Sequence, residues 1–293
     1  MRSFAQLPDY DLVRRLGRGA HATINLAVDR RSRRQVAVKH VIRRNPDDDK
    51  FIAQAETEYD VCKRLDHPAL RKCYDIIRIR KWMKTAELFL IMEFADGETL
   101  EVRRPQGLRE FARVFRDVAD GLHALHMRGY AHADIKPNNI LLTTDGVKII
   151  DFGQSCPLGH IKQRVQGTPD YMAPEQVLRQ RIDHRTDVFN LGATMYWVVT
   201  GKAYMTMMPT AQVASKKIEI EARRANDAPH EMNPRVPVAL SRLIMECCET
   251  DPEKRPRDMR DLNARLEVVQ HLLARRRRRA PDEDTDRAAA LPE

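Results

Sequence analysis

Apolar and polar positions change period along this chain of 293 residues. From Leu16 to Val28, two glycines are followed by an apolar-polar alternation, the signature of a half-buried strand leaving a tight hairpin. A short basic turn, Arg30 to Arg34, leads to a second strand-like run, Gln35-Val36-Ala37-Val38-Lys39. Asn45-Pro46-Asp47-Asp48-Asp49 supplies acids suited to a helix N-terminus, and from Phe51 to Leu65 the apolar spacing is helical. Cys73 to Ile79 and Leu88 to Glu93 predict a strand pair around a polar turn near Lys84-Thr85. Beyond this β-rich stretch, Phe111, Val114, Phe115, Val118, Leu122 and Leu125 recur at intervals of three and four. They predict a long amphipathic helix from Leu108 to Arg128, closed by Gly129. Leu141-Leu142 and Val147-Lys148-Ile149-Ile150 predict short strands about Asp145-Gly146. Val188 to Gly201 is uncharged, mainly apolar and too short to cross a bilayer, so it predicts a buried helix. Helical patterns continue through Val238 to Cys248 and Met259 to Ala274, giving an α+β chain with a small β-rich part followed by a larger helical part.

Composition alters this picture in three respects. The 51 Lys and Arg exceed the 42 Asp and Glu by nine, a balance that suits nucleic acid, anionic lipid or an acidic protein. Much of the excess, however, lies in one run, Arg275 to Arg279, which continues a helix and is followed by Pro281-Asp282-Glu283-Asp284. We read it as a solvated helix end neutralised by the following acids, with residues 275–293 forming a disordered tail and no nucleic-acid partner expected. Five cysteines without metal-ligand spacing argue against a disulfide framework and for a reducing compartment. With no apolar leader and no membrane span, a cytoplasmic protein is expected.

Candidate chemistry is concentrated in His132-Ala133-Asp134-Ile135-Lys136-Pro137-Asn138-Asn139 and, after it, Asp151-Phe152-Gly153. Asp134 is placed to accept or orient the proton of an attacking hydroxyl, and Lys136 to offset charge on a phosphoryl group in flight. Asn139 and Asp151 offer the hard oxygen ligands that Mg²⁺ prefers. At Gly17 and Gly19, missing side chains would let backbone N–H groups approach phosphate oxygens.

These motifs together resemble the eukaryotic-type (Hanks-type) serine/threonine protein kinase family. The resemblance covers about residues 10 to 272 and implies a bilobal fold: a small antiparallel N-lobe with one main helix, residues 1–94, and a mainly helical C-lobe, residues 95–274. It implies ATP as cofactor with Mg²⁺ or Mn²⁺, and a protein substrate carrying a Ser or Thr acceptor. Lys39 would hold the α- and β-phosphates and pair with Glu58, with Glu56 as the fallback on a different helix face. Leu16, Gly17, Arg18, Gly19, Ala20 and Ile24 would cover the nucleotide, although the family's third glycine is Ala22 here. Ala37 would lie over the adenine, Leu141 beneath it and Met92 behind it, with backbone groups of Glu93 and Ala95 bonding the base and Glu98 reaching the ribose. Gly167-Thr168-Pro169-Asp170-Tyr171 and Ala173-Pro174-Glu175 resemble the substrate-docking segment, with Arg255 as the partner of Glu175 and Asp187 bonding the catalytic-loop backbone. Cys62 and Cys73 would pack in an apolar stack behind the site.

Ala133 stands where the family usually carries the arginine that binds a loop phosphate, which makes the catalytic loop a non-RD one. Cys156 to Gly167 contains no Ser, Thr or Tyr, so activity without activation-loop phosphorylation is expected, with Lys162 and Arg164 helping to order the segment. The compact form without an appended domain suits a bacterial homologue. Two other classes stay open: a small-molecule kinase, which would generally lack the docking motifs, and a catalytically dead scaffold, suggested by Ala133 and Ala22.

Overall fold

A computed structural model of the chain describes residues 7–19, 21–81, 83–206 and 226–279. They form two compact units, one running to Asp96 and taking in Ile150–Gln154, the other built from Gly97–Ile149 and the chain from Ser155 onward. The sequence pattern divides the chain once, after Phe94. The structure returns Ile150–Gln154 to the first unit because the short turn Phe152–Gln154 packs on that unit's helix.

In the first unit, β1 (Tyr10–Arg18), β2 (Ala22–Asp29), β3 (Gln35–Ile42), β4 (Cys73–Lys81) and β5 (Lys84–Glu93) form an antiparallel sheet in the order β1-β2-β3-β5-β4. The period of two along β3 sorts its side chains between two cores. Ala37 and Val41 join Leu88, Leu90 and Met92 of β5 and Ile52 and Ala55 of helix α1 (Asp49–Cys62). Val36 and Val38 join Leu7, Ala27, Phe89 and Ile91 on the opposite face. By the same parity Lys39, between Ala37 and Val41, belongs to the face that carries α1. Ahead of α1 the short turn Pro46–Asp48 is capped, with Asn45 accepting from the Asp47 amide at 2.9 Å and Asp48 from the amides of Arg44 and Asn45 at 2.8 and 3.1 Å, while Asp48 makes no side-chain cap bond to α1 itself. Two boundaries differ from the sequence reading. Helix α1 ends at Cys62 rather than Leu65 and passes into tight turns, and Lys84 pairs with Lys81 across the ladder, so the turn precedes Lys84.

The second unit contains the expected amphipathic helix as α2 (Leu108–Met127), with Phe111, Val114, Phe115, Val118, Leu122 and Leu125 all fully buried. It lies along α7 (Met259–Arg279), where Arg116 of α2 bonds Asn263 and Gln270 at 2.9 and 2.7 Å. Gly129 adopts φ +81°, the left-handed conformation that lets the chain reverse out of α2 into β7 (Tyr130–Ala131). A three-stranded sheet sets β6 (Gly97–Thr99) beside β8 (Ile140–Thr143) and β9 (Gly146–Ile149). Thr143 pairs with Gly146, so the β8–β9 turn is Thr144-Asp145 and the glycine is already in the strand. Two short ladders follow, β10 (Cys156–Pro157) on β7 and β11 (His160–Ile161) on β12 (Arg181–Ile182), with α3 (Pro174–Val177) between the second pair in sequence. The uncharged run is α4 (His184–Thr200), buried along most of its length against α5 (Pro229–Met232) and α6 (Val238–Cys247). Gly192 of α4 is required there: a Cβ on it would lie 2.5 Å from Cβ of Cys247.

Among the described residues no helix is long and apolar enough to cross a membrane. The backbone of α7 continues through Arg275 to Arg279, while the acidic stretch after Pro281 lies outside the described residues.

Candidate active site

The predicted site residues form two clusters, one in each unit. In the first, Lys39 Nζ on β3 donates to Glu58 Oε2 of α1 at 2.6 Å and to Asp151 Oδ1 at 3.3 Å. The other Glu58 oxygen accepts from Arg71 Nη2 at 2.9 Å, so two carboxylates face two cations. Burial by itself would lower the Lys39 pKa, but the charges of Asp151 and Glu58 outweigh it and hold the amine above its ordinary value. Arg71 is buried too, and the charges of Glu58, Cys73, Cys62 and Asp151 together more than compensate that desolvation. Glu56, the alternative partner, instead bonds Arg78 at 2.8 Å at the surface.

Asp151 takes φ +64°, a left-handed conformation unusual for a residue with a Cβ. Such strain costs ~1–3 kcal/mol and persists only where the surroundings impose it. The Asp151 side chain stays 44% exposed despite its bond to Lys39, which leaves carboxylate oxygen available.

Around this charge cluster, Ala37 pairs with Met92 across β3 and β5, and Leu16 and Ile24 pack on the same core. Met92 is fully buried. Gly17 and Arg18 pair with Ile24 and Thr23, and the Gly19 amide donates to the Ala22 carbonyl at 2.8 Å, so the glycine turn is a closed hairpin. Ala20 lies outside the described residues. The Glu93 amide donates to the Lys72 carbonyl at 2.9 Å and its carboxylate accepts from the Lys72 amide at 3.1 Å, with Ala95 two residues further on. Cys62 and Cys73 are free thiols, and burial pushes the Cys62 thiol pKa well up, as does its bond to Cys73.

The second cluster is centred on Asp134. Its Oδ1 accepts from the Thr168 hydroxyl at 3.0 Å, and its Oδ2 from Lys136 Nζ at 2.8 Å and Asn139 Nδ2 at 3.3 Å. Lys136 Nζ also donates to Thr168 Oγ1 at 2.6 Å, closing a triangle. Asn139 Nδ2 donates again to the Asp134 carbonyl at 2.8 Å. With its nitrogen committed, the amide oxygen is the end of Asn139 left for a cation. Asn139 and Asp151 thus both present hard oxygen, the donor type that fits Mg²⁺ or Mn²⁺. Glu98 and Leu141 lie together on the small sheet, where Glu98 pairs with Leu142 and Thr99 with Leu141.

The loop that carries Asp134 is held from behind. Asp187 on α4 accepts from the amides of His132 and Ala133 at 2.8 and 2.7 Å, and it meets His126 Nε2 at 2.8 Å. Complete burial would raise the Asp187 carboxyl, but those hydrogen bonds and the nearby histidines hold its pKa below the ordinary value. Ala133, at φ +60°, is further fixed by Gln176 Nε2, which donates to its carbonyl at 2.8 Å. Nearby, Arg255 grips Glu175 with two bonds of 2.7 and 2.9 Å, and Thr186 donates to the same carboxylate at 2.8 Å. Arg71, Gln176 and His126 escape sequence reasoning. The one available signal was a basic residue directly after the apolar pair Ala69-Leu70.

Comparison with known proteins agrees with this geometry. A family model described as protein kinase domain matches residues 10–271. A probable serine/threonine-protein kinase of Clostridium acetobutylicum is 28% identical over 271 residues, covering 89% of this chain and 40% of that protein. The serine/threonine-protein kinase PknL of Mycobacterium tuberculosis is 30% identical over 269 residues, covering 89% of this chain and 65% of that protein. PknB of the same species is 29% identical over 268 residues, covering 88% of this chain and 42% of that protein. The chain therefore spans about 40 to 65% of the length of these relatives. With the family model spanning nearly all of both units, the chain belongs to the protein kinase domain family.

Proposed function

We propose that this chain is an ATP-dependent protein serine/threonine kinase that transfers the γ-phosphoryl group to a protein hydroxyl and needs no phosphate on its activation segment. The observation that carries the reading is the Asp134–Lys136–Thr168 triangle, and the support for phosphate independence is Ala133 beside Asp134 and the absence of Ser, Thr and Tyr from Cys156 to Gly167. In that arrangement Asp134 orients the acceptor hydroxyl and takes its proton, and Lys136 offsets charge on the transferring group. Thr168 fixes the Asp134 carboxylate and stands at the start of the segment that receives the peptide. Lys39, positioned by Glu58, binds the α- and β-phosphates. Asp151 in the first unit and Asn139 in the second each offer the oxygen donor that suits a divalent cation, Mg²⁺ or Mn²⁺, which would neutralise charge across the phosphates. Within the first unit, Leu16, Ile24, Ala37 and Met92 would pack on the adenine, while Glu93 and Ala95 bond it.

The relatives' names support serine and threonine as acceptors. Five free cysteines and the use of ATP suit the cytoplasm as the site of action. The test is transfer of radiolabelled phosphate from ATP to a generic basic protein with Mg²⁺, before and after phosphatase treatment verified by intact mass. Equal transfer is expected. A fall in kcat/KM beyond ~10-fold on dephosphorylation would show that a phosphate orders the site.

A further inference from the structure

Between Gly159 and Val165 the usual sorting of side chains is inverted. Ile161 and Val165 are 51% and 43% exposed, whereas Lys162 is only 8% exposed. Burial favours the aliphatic side chains and opposes the ammonium, so another interaction must hold this order in place. The backbone supplies the means. His160 and Ile161 pair with Ile182 and Arg181, so the chain is pinned just ahead of Lys162.

The charges that act on the buried ammonium are those of Cys156, Asp134 and Asp187, and the ladder pairs Cys156 with Ala131, three residues ahead of Asp134. Cys156 in turn packs with Ala131, Ala133 and Ile182, so the neighbourhood is apolar apart from those acids. Asp134 also bonds Lys136 Nζ at 2.8 Å, and Asp187 meets His126 Nε2 at 2.8 Å. Removal of Lys162 would leave the acids with excess negative charge in a dehydrated place. Burial lowers the Lys162 pKa from its ordinary value while Cys156, Asp134 and Asp187 oppose that change, as expected for an ammonium taken out of water and partly compensated. Arg164, the other cation of this stretch, is exposed.

We infer that Lys162 is a positioning residue whose ammonium ties the activation segment to the Asp134 and Asp187 carboxylates, and so keeps Thr168 and the peptide-docking residues in place without a phosphate. This rests on the proposed kinase activity. Lys162 does not touch the reacting atoms; it acts through the segment it anchors.

The experiment uses the full chain, phosphatase-treated and checked by mass, as wild type, Lys162→Met and Lys162→Arg. Methionine preserves length and apolar contact but removes the charge. For Lys162→Met we expect kcat/KM on one peptide to fall by ~10-fold or more, with the Kd of an ATP analogue plus Mg²⁺ within about twofold of wild type. Amide exchange across residues 156–168 should rise by about tenfold, and Lys162→Arg should recover most of both. Unchanged kcat/KM and exchange in Lys162→Met would overturn the inference. Equal loss of nucleotide affinity would also overturn it, because the residue would then support the fold in general. Inactivity of the dephosphorylated wild type would instead strike the proposed function, and the exchange comparison, which needs no turnover, would still judge Lys162.

Discussion

The two clusters are stabilised by different physics. Around Lys39 the structure relies on full charges: Glu58 is shared between Lys39 and Arg71, and Asp151 adds a second carboxylate. Around Asp134 one ion pair, with Lys136, sits in a loop held mainly by backbone amides on Asp187 and by the hydroxyl and amide groups of Thr168, Asn139 and Gln176. A charge cluster fails all at once, because removing one member leaves another ion buried and unpaired. A hydrogen-bonded loop loses one bond at a time, at about 0.5–1.5 kcal/mol for each neutral pair. The comparison teaches that identical losses of activity in the two clusters should have different origins.

The largest effects test that separation directly. Asp151→Asn and Lys39→Met should each lower kcat by ~10²-fold or more with circular dichroism unchanged, and both should weaken nucleotide binding. Asp134→Asn should lose a similar factor in kcat yet bind nucleotide as wild type does. Near-normal turnover in any of the three purified variants would break the assignment, and weakened nucleotide binding in Asp134→Asn would blur the contrast between clusters. Next in size is the buried pair in the second unit, where Glu175→Gln should lower unfolding free energy by ~3–5 kcal/mol, read from the urea midpoint and slope. A loss under about 1 kcal/mol would place that pair with ordinary surface bridges.

A pH series sharpens the role of Asp187. Its folded-state pKa is depressed relative to 3.8, so its contribution to stability is fully present above that value and is lost as pH falls through the lower folded value. The stability gap between wild type and Asp187→Asn should therefore hold steady down to about pH 4 and close only below it. A gap that closes well above pH 4 would contradict the depressed carboxyl. The smallest effect belongs to Glu56→Gln, which should change stability by less than ~1 kcal/mol and leave turnover intact, since its partner Arg78 is a surface group. Loss of activity there would reopen the choice between Glu56 and Glu58.

What the sequence disclosed follows the range of the interactions involved. The Lys39–Glu58 pair was legible because a strand period and a helix period each fix a direction, while the choice of Glu58 over Glu56 came from the resemblance to the kinase family. The cluster around Asp134 was legible because its parts lie within one short loop, apart from Thr168 and Asp187. Arg71 was not, since nothing local distinguishes a guanidinium that will be buried from one that will be solvated. Its burial depends on Glu58, on a different element. Lys162 reads the same way: in a polar stretch a lysine looks solvated, and only the carboxylates from two other elements make its burial tolerable. The turn ahead of Lys84 was misplaced because polar residues on an exposed ladder and polar residues in a turn leave the same mark.

The return of Ile150–Gln154 to the first unit has a consequence for how the protein is made. A nascent chain synthesised only as far as Asp96 already contains every strand of the β1–β5 sheet and helix α1, mostly joined by short connections, so Lys39 can find Glu58 early. Asp151 reaches the ribosome exit only after α2 and the catalytic loop have emerged. The order of synthesis therefore makes the Lys39–Glu58 pair older than the acid that completes it, and Asp151 is the last piece added to a unit whose framework is already closed.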